Sequence, residues 1–329
     1  MHVYDWSKDR RITMNYGGLI AEGDTASGRR KRLVDDCYGQ IVHLVADLGL
    51  VVGQEEVPLL FAASMKRNAA LLSGPRGPAI LITDGFMAAA EEYLARALGD
   101  AAFLSEYLPE SMFDGLTEER RDFGTEILCH MIDFAIHHEI AHDIREHVAL
   151  LHGADSTSLI DEMLMFDAIA DGDELPRLIE FDADLHALNL QMGEFRRHGE
   201  IASWPEAEME DAFFKQLLAM IFVGQILDHR HTSVEEHGRF SHPAPIHRSI
   251  LYAEVMVESF SEAHPWGRAK FDNLHDQAWY EASVAAAANG YPEGRWRGSE
   301  MGDARFDLLL SLREAAFEFS RRQDERLAT

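Results

Sequence analysis

The sequence predicts a mainly α protein with one small β-sheet, an α+β fold, and three observations carry that prediction. From Phe86 onward, apolar residues recur at helical spacing in one segment after another. Ahead of them, "LVVGQEEVPLLFAASMKRNAALLSGPRGPAILITDG" breaks into short apolar runs punctuated by Gly and Pro, the mark of a few short strands. A chain of 329 residues with 47% hydrophobic and 26% charged residues is also ample for a single buried core.

Taken in order, residues 1–32 are polar, rich in Gly and Arg, and end in "GRRKR"; they read as a loosely held, solvated arm. A helix is expected from about Leu33 to Leu48, then the strands, then helices from Phe86 ("FMAAAEEYLARAL") and over 124–151, 176–192, 208–228, 246–262 and 304–322. "ANGYPEGRWRGSEMGD" is a loop. The expected organisation is an arm (1–32), one main domain (33–263) and a C-terminal helical extension (264–329) packed on that domain.

Thirty basic against 57 acidic residues give a net charge of −27, which argues against nucleic acid or an anionic membrane as partner. Cys37 and Cys129 form no CxxC, so a disulfide framework is not expected and the usage fits a reducing compartment. No apolar leader stretch opens the chain, and the most apolar run, "FFKQLLAMIFVGQIL" at 213–227, is shorter than the roughly 20 residues a span needs. It reads as a buried helix, and the expectation is a cytoplasmic protein without membrane insertion.

The chemistry concentrates in "FAIHHEIAHDIREH", residues 134–147. On a helix, Leu128, Met131, Ala135, His138 and His142 share one face, so two histidines continue an apolar stripe, and buried imidazoles need partners. Spaced i and i+4, their rings can hold one Zn²⁺, with Glu139 beside them as a candidate general base. The competing reading is a pair of core histidines hydrogen-bonded to backbone. HExxHxxGxxH is excluded as the fuller motif, because Arg145 and Val148 stand at its Gly and last His positions. "LPRLIEFDADLHALNL" offers Glu180 as third ligand, on a face with Ala183, Asp184 and Ala187 small enough for close approach, unless "EFDAD" is simply a solvated acidic face. Asp184, one turn on, is placed to accept from a ligating imidazole and fix its tautomer.

These residues resemble the gluzincin metallopeptidases of the HtpX-like and CAAX-prenyl-protease type. "HEIAHDIREH" is similar to their HExxH helix, with a further histidine at His147, and "EFDAD" to their ExxAD segment, which makes Glu180 the third zinc ligand. "FSHPAPIHRSI" resembles their "THPxxxxRI" segment, which implies His242 near the metal as an oxyanion partner and Arg248 bracing the site. "NAALLSGPRGPAILITDGF" is similar to a strand hairpin whose edge holds substrate, which implies substrate contacts at Asn68 and Ala69. The resemblance implies a zincin-like (minigluzincin-type) domain, one Zn²⁺ per chain and a protein or peptide substrate. The membrane spans of the integral members are absent, and the phage-exclusion peptidases of the Lit type carry a similar helix. The expected function is a soluble zinc-dependent endopeptidase; the alternative is a metal-binding sensor or interaction module, stress- or phage-defence related, with no general proteolysis. A second metal site among His229, His231, His237, His242 and His247 lacks regular ligand spacing and reads more simply as a loop. The connection 152–174 reads as a linker or a lid.

Overall fold

The computed structural model describes residues 5–21, 23–47, 57–74, 77–105, 118–152, 159–161, 174–202, 205–228, 244–263, 268–292, 296 and 303–328. They are mainly helical, with one small mixed sheet, as the sequence predicts. Strands β1 (Leu59–Ala62), β2 (Ala69–Gly74), β3 (Gly77–Thr83) and β4 (Leu159–Asp161) lie in the order β1-β3-β2-β4. β3 runs parallel to β1 (Leu60 opposite Leu81) and antiparallel to β2 (Ala70 opposite Leu81), and β4 lies antiparallel to β2.

Both faces of the sheet are buried, and the strand alternation divides them. Phe61, Leu71, Ile80 and Ile82 point into the main helical core, while Leu60, Ala62, Ala70, Leu72, Ala79 and Leu81 form the other face. That second face is covered by the segment expected to be a loose arm. A short 3₁₀ turn (Trp6–Lys8) and helix α1 (Arg10–Tyr16) place Trp6, Ile12 and Tyr16 against it. Asp9 caps α1 by accepting from the Arg11 N–H (2.8 Å), and Arg11 Nη1 donates to the Ser73 carbonyl (2.8 Å), tying α1 to the end of β2. Burying each large apolar side chain is worth about 1.5–3 kcal/mol, so this packing corrects the expectation for 5–21. Within "GRRKR", Arg29 and Arg32 are exposed as expected, and Arg30 is the correction. Helix α2 (Ala26–Asp47) starts well before Leu33, and Arg30 in it ion-pairs with the buried Asp84 at 2.7 Å.

The remaining helices are α3 (Asp84–Gly99), α4 (Glu118–Ile144), α5 (His147–His152), α6 (Leu175–Ala202), α7 (Glu206–Leu227), α8 (Pro245–Ala263), α9 (Arg268–Ala288) and α10 (Asp303–Leu327). The sequence reading passed over α9, although Phe271, Leu274, Ala278, Ala282 and Ala285 bury one face of it at helical spacing. α4 is the central helix and packs on α2, α3, α6 and α7. α7 is buried from Phe213 to Leu227, the expected core helix. No helix among the described residues is long and apolar enough to cross a membrane.

Two glycines allow the close approaches that set the frame. A Cβ on Gly224 in α7 would collide with Ser249 Oγ of α8 and meet the Pro245 carbonyl at 3.1 Å, so α8 lies against α7 and carries Arg248 inward. A Cβ on Gly85 would collide with the backbone of Met65 and Lys66, which fixes the start of α3 against the segment leading into β2.

Candidate metal centre

Three elements meet at one buried point. α4 supplies His138 and His142 one turn apart; α6 supplies Glu180 from a face on which Ala183 and Ala187 are fully buried, letting the two helices approach closely. One donor atom from each of His138, His142 and Glu180 lies within 4.8 Å of the others. The Nε2 atoms of the two imidazoles are 3.0 Å apart, and Glu180 brings Oε2 to 3.3 Å from His138 Nε2 and Oε1 to 3.6 Å from His142 Nε2. Donors roughly 2.0–2.1 Å from a tetrahedral ion stand about 3.3 Å from one another, which these three separations bracket.

The surroundings assign the tautomers. Asp184 Oδ1 lies 2.9 Å from His138 Nδ1, and Arg248 grips the same carboxylate through Nε (2.8 Å) and Nη2 (2.7 Å). Complete burial pushes the Asp184 pKa up, but the charge of Arg248 and the His138 bond outweigh it and hold the group below its usual value. An ionised Asp184 only accepts, so His138 carries its proton on Nδ1 and its lone pair on Nε2. Tyr252, whose hydroxyl accepts from Arg248 Nε at 2.8 Å, packs its ring on Phe134 and closes that side.

His142 is fixed by a longer relay. His142 Nδ1 meets His147 Nδ1 at 2.9 Å, and His147 Nε2 meets Asp182 Oδ2 at 2.9 Å. Burial raises and its partners lower the Asp182 pKa, with a net result far below the usual carboxylate range; burial likewise lowers that of His147 and keeps it neutral. His147 therefore donates from Nε2 to Asp182, accepts at Nδ1 from His142, and leaves His142 Nε2 with a lone pair. Arg145 holds Asp182 at 2.7 and 3.2 Å, and is itself held by Asp324 and by the Ser320 carbonyl (2.8 Å) of α10. Two Nε2 lone pairs thus face each other beside a carboxylate in a site where His138, His142 and Glu180 are at most 2% exposed. Such an arrangement needs a cation between its members, a divalent metal or a shared proton, and the donor set of two imidazoles and a carboxylate fits a metal such as Zn²⁺.

The expected residues thus fall into groups. His138, His142, Glu180, Asp184 and Arg248 come together, and Glu139 is buried on α4 next to His138. Asn68 and Ala69 do not join them. Both are buried, and Asn68 is bound through its backbone N–H to Thr83 Oγ1 (3.0 Å) and through its side chain to Tyr16 (3.5 Å). Among the described residues β4 pairs with β2 at Ala70, Leu71 and Leu72 and not at Asn68 or Ala69, so what stands against the expected substrate contacts is the burial of both residues. His242 lies outside the described residues, as do His229, His231 and His237; His247 is buried on α8. Of 152–174, β4 is the only part described beyond Glu174 and the end of α5. The sequence reading gave no role in the site to Asp182 or Arg145. Asp182 sits inside the quoted "EFDAD", two residues after Glu180, and its acidic side chain at a buried helical position was the available signal. No family model matches the chain, and neither a curated protein nor a solved structure matches it.

Proposed function

We propose that the chain is a zinc-dependent peptidase, with His138 Nε2, His142 Nε2 and a Glu180 oxygen as the protein ligands. The observation that carries this reading is the pair of Nε2 lone pairs set 3.0 Å apart beside Glu180 in a buried site. When bound, zinc supplies Lewis-acid polarisation of a carbonyl and a water acidic enough to attack near neutral pH. The chain's own residues do the remainder. Glu139 takes the attacking water's proton on its carboxylate and returns it to the leaving amine. Asp184 with Arg248, and His147 with Asp182, hold the two imidazoles in the tautomers that point Nε2 inward. His242 is the oxyanion partner that the resemblance implies. The order of "HEIAH", "EFDAD" and "SHPAPIHR" along the chain supports the reading.

A peptide-library digest tests it. Wild type releases fragments, and Glu139→Gln keeps its metal and releases none; full cleavage by the variant contradicts the mechanism. The depth of burial favours a second reading, because structural metal sites are closed whereas catalytic ones keep an open position. In that reading the protein is a metal-binding sensor or interaction module, and the metal-loaded wild type releases no fragments at all.

A further inference from the structure

Away from the metal centre, a cavity of 140 Å³ opens between α3, the segment ahead of β2, the end of α7 and the turn after α9. Its lining shares no residue with the metal centre. Ala89, Glu92, Tyr93 and Arg96 form one face of α3; Arg67 and Ile226 form a second wall, and Asn289 and Tyr291 a third. The space is large enough for several waters, suited to a small ion or acid.

The walls are fixed in advance. The hydroxyls of Tyr93 and Tyr291 donate to the side-chain and backbone carbonyls of Gln225, and Gln225 Nε2 donates to the Ala282 carbonyl at 3.0 Å. Asn289 Nδ2 donates to the carbonyls of Tyr93 (3.1 Å) and Ala285 (2.9 Å).

Arg67 is the anomaly. It is half-buried, donates Nη1 to the Ile226 carbonyl at 3.2 Å, and has no carboxylate in ion-pair range among the described residues. That is out of keeping with a chain of net charge −27 whose Arg30, Arg145, Arg248 and Arg313 all pair with carboxylates. A guanidinium has five N–H donors in a planar fork matched to oxyanions, and one is used here. On α3, Arg96 pairs among the described residues with Glu92, in an exposed pair that is easily exchanged. The lining carries two positive charges and one negative.

We propose that this cavity binds a small oxyanion, with Arg67 as the bidentate anchor and Arg96 turning in as the second donor. Phosphate and carboxylate share that recognition chemistry. Arg67 also covers a carbonyl in the last turn of α7, a role that needs no ligand, so the test must read binding and not stability alone.

Inorganic phosphate and acetate are titrated separately into the full-length protein at constant ionic strength, followed by calorimetry and by NMR shifts of the Arg side chains. The expected result is saturable one-to-one binding of at least one of the two, at a Kd on the order of 1 mM or below, weakened at least tenfold in Arg67→Gln and in Arg96→Gln. Saturation by phosphate alone assigns a phosphate-bearing ligand, and by acetate alone a carboxylic acid. If Arg67→Gln does not fold, Arg96→Gln, at an exposed position, decides by itself. No saturable binding of either anion, or equal binding by the folded variants, overturns the proposal.

Discussion

His142 and His147 meet Nδ1 to Nδ1 at 2.9 Å although five residues separate them. In an unbroken helix, residues i and i+5 point about 140° apart, so the contact depends on the break between α4 and α5. Glu146 makes that break with φ 54, in the left-handed region, and folds His147 back under His142. The chain thereby converts a two-histidine motif into a four-membered relay, His142–His147–Asp182–Arg145, anchored on α10.

If the relay orients His142, then Asp182→Asn, which can no longer hold His147 as an ionised acceptor, weakens zinc binding by about 10–100-fold. Competition with a chromophoric chelator measures this, alongside circular dichroism to show the helices intact. Unchanged affinity in the folded variant would mean that His142 needs no support.

The break itself is testable by stability. Glu146→Gly removes the cost of a Cβ at positive φ and raises stability by up to about 1 kcal/mol, whereas Glu146→Val lowers it. The Glu146–Arg326 pair is largely exposed and contributes little. Urea denaturation compares the three proteins; a less stable Gly variant would place the strain elsewhere.

The sequence showed the stripe Leu128, Met131, Ala135, His138, His142 and the alanine-lined face of Glu180, because one helical period places those residues without help from the rest of the fold. His147 was visible as a residue but its place was not. Neither Gly nor Pro marks the break at Arg145–Glu146, and a left-handed Glu leaves no pattern in a sequence. The segment 5–21 was misread for a related reason. Trp6, Ile12 and Tyr16 are sparse among charged residues, and only the opposing face of the sheet shows what they cover. The burial of Asn68 and Ala69 was not legible for the same reason: Tyr16, which meets the Asn68 side chain, lies 52 residues earlier in the chain.

The α7–α8 crossing gives a second stability test. Gly224→Ala puts a methyl group into Ser249 Oγ and destabilises by about 1–3 kcal/mol. Adding Ser249→Ala removes the worst collision and recovers part of the loss, so the two changes are non-additive. Strict additivity in thermal melts would show that the crossing does not depend on this contact.

Asp84 supplies a pH dependence. Burial raises its pKa, but hydrogen bonds from Arg30 (2.7 Å) and Ser27 (2.7 Å) prevail and hold it below 3.8. A carboxylate depressed on folding contributes its full stability above that unfolded value and loses it as pH falls through the folded one. Asp84→Asn therefore costs about 1–3 kcal/mol at pH 7, and the gap to wild type narrows below pH 4. A gap that stays constant down to pH 3 would mean that the ionised form of Asp84 is not what stabilises the start of α3.

The central claim is that the cation demanded by the facing Nε2 atoms of His138 and His142 is a metal. Elemental mass spectrometry of protein purified without chelator, with His142→Ala purified in parallel, tests it most directly. The account predicts about one zinc per wild-type chain and none in the variant. A wild-type protein that is folded, carries no metal and takes up none when zinc is added would contradict it, and would leave a proton shared between two core histidines as the cation.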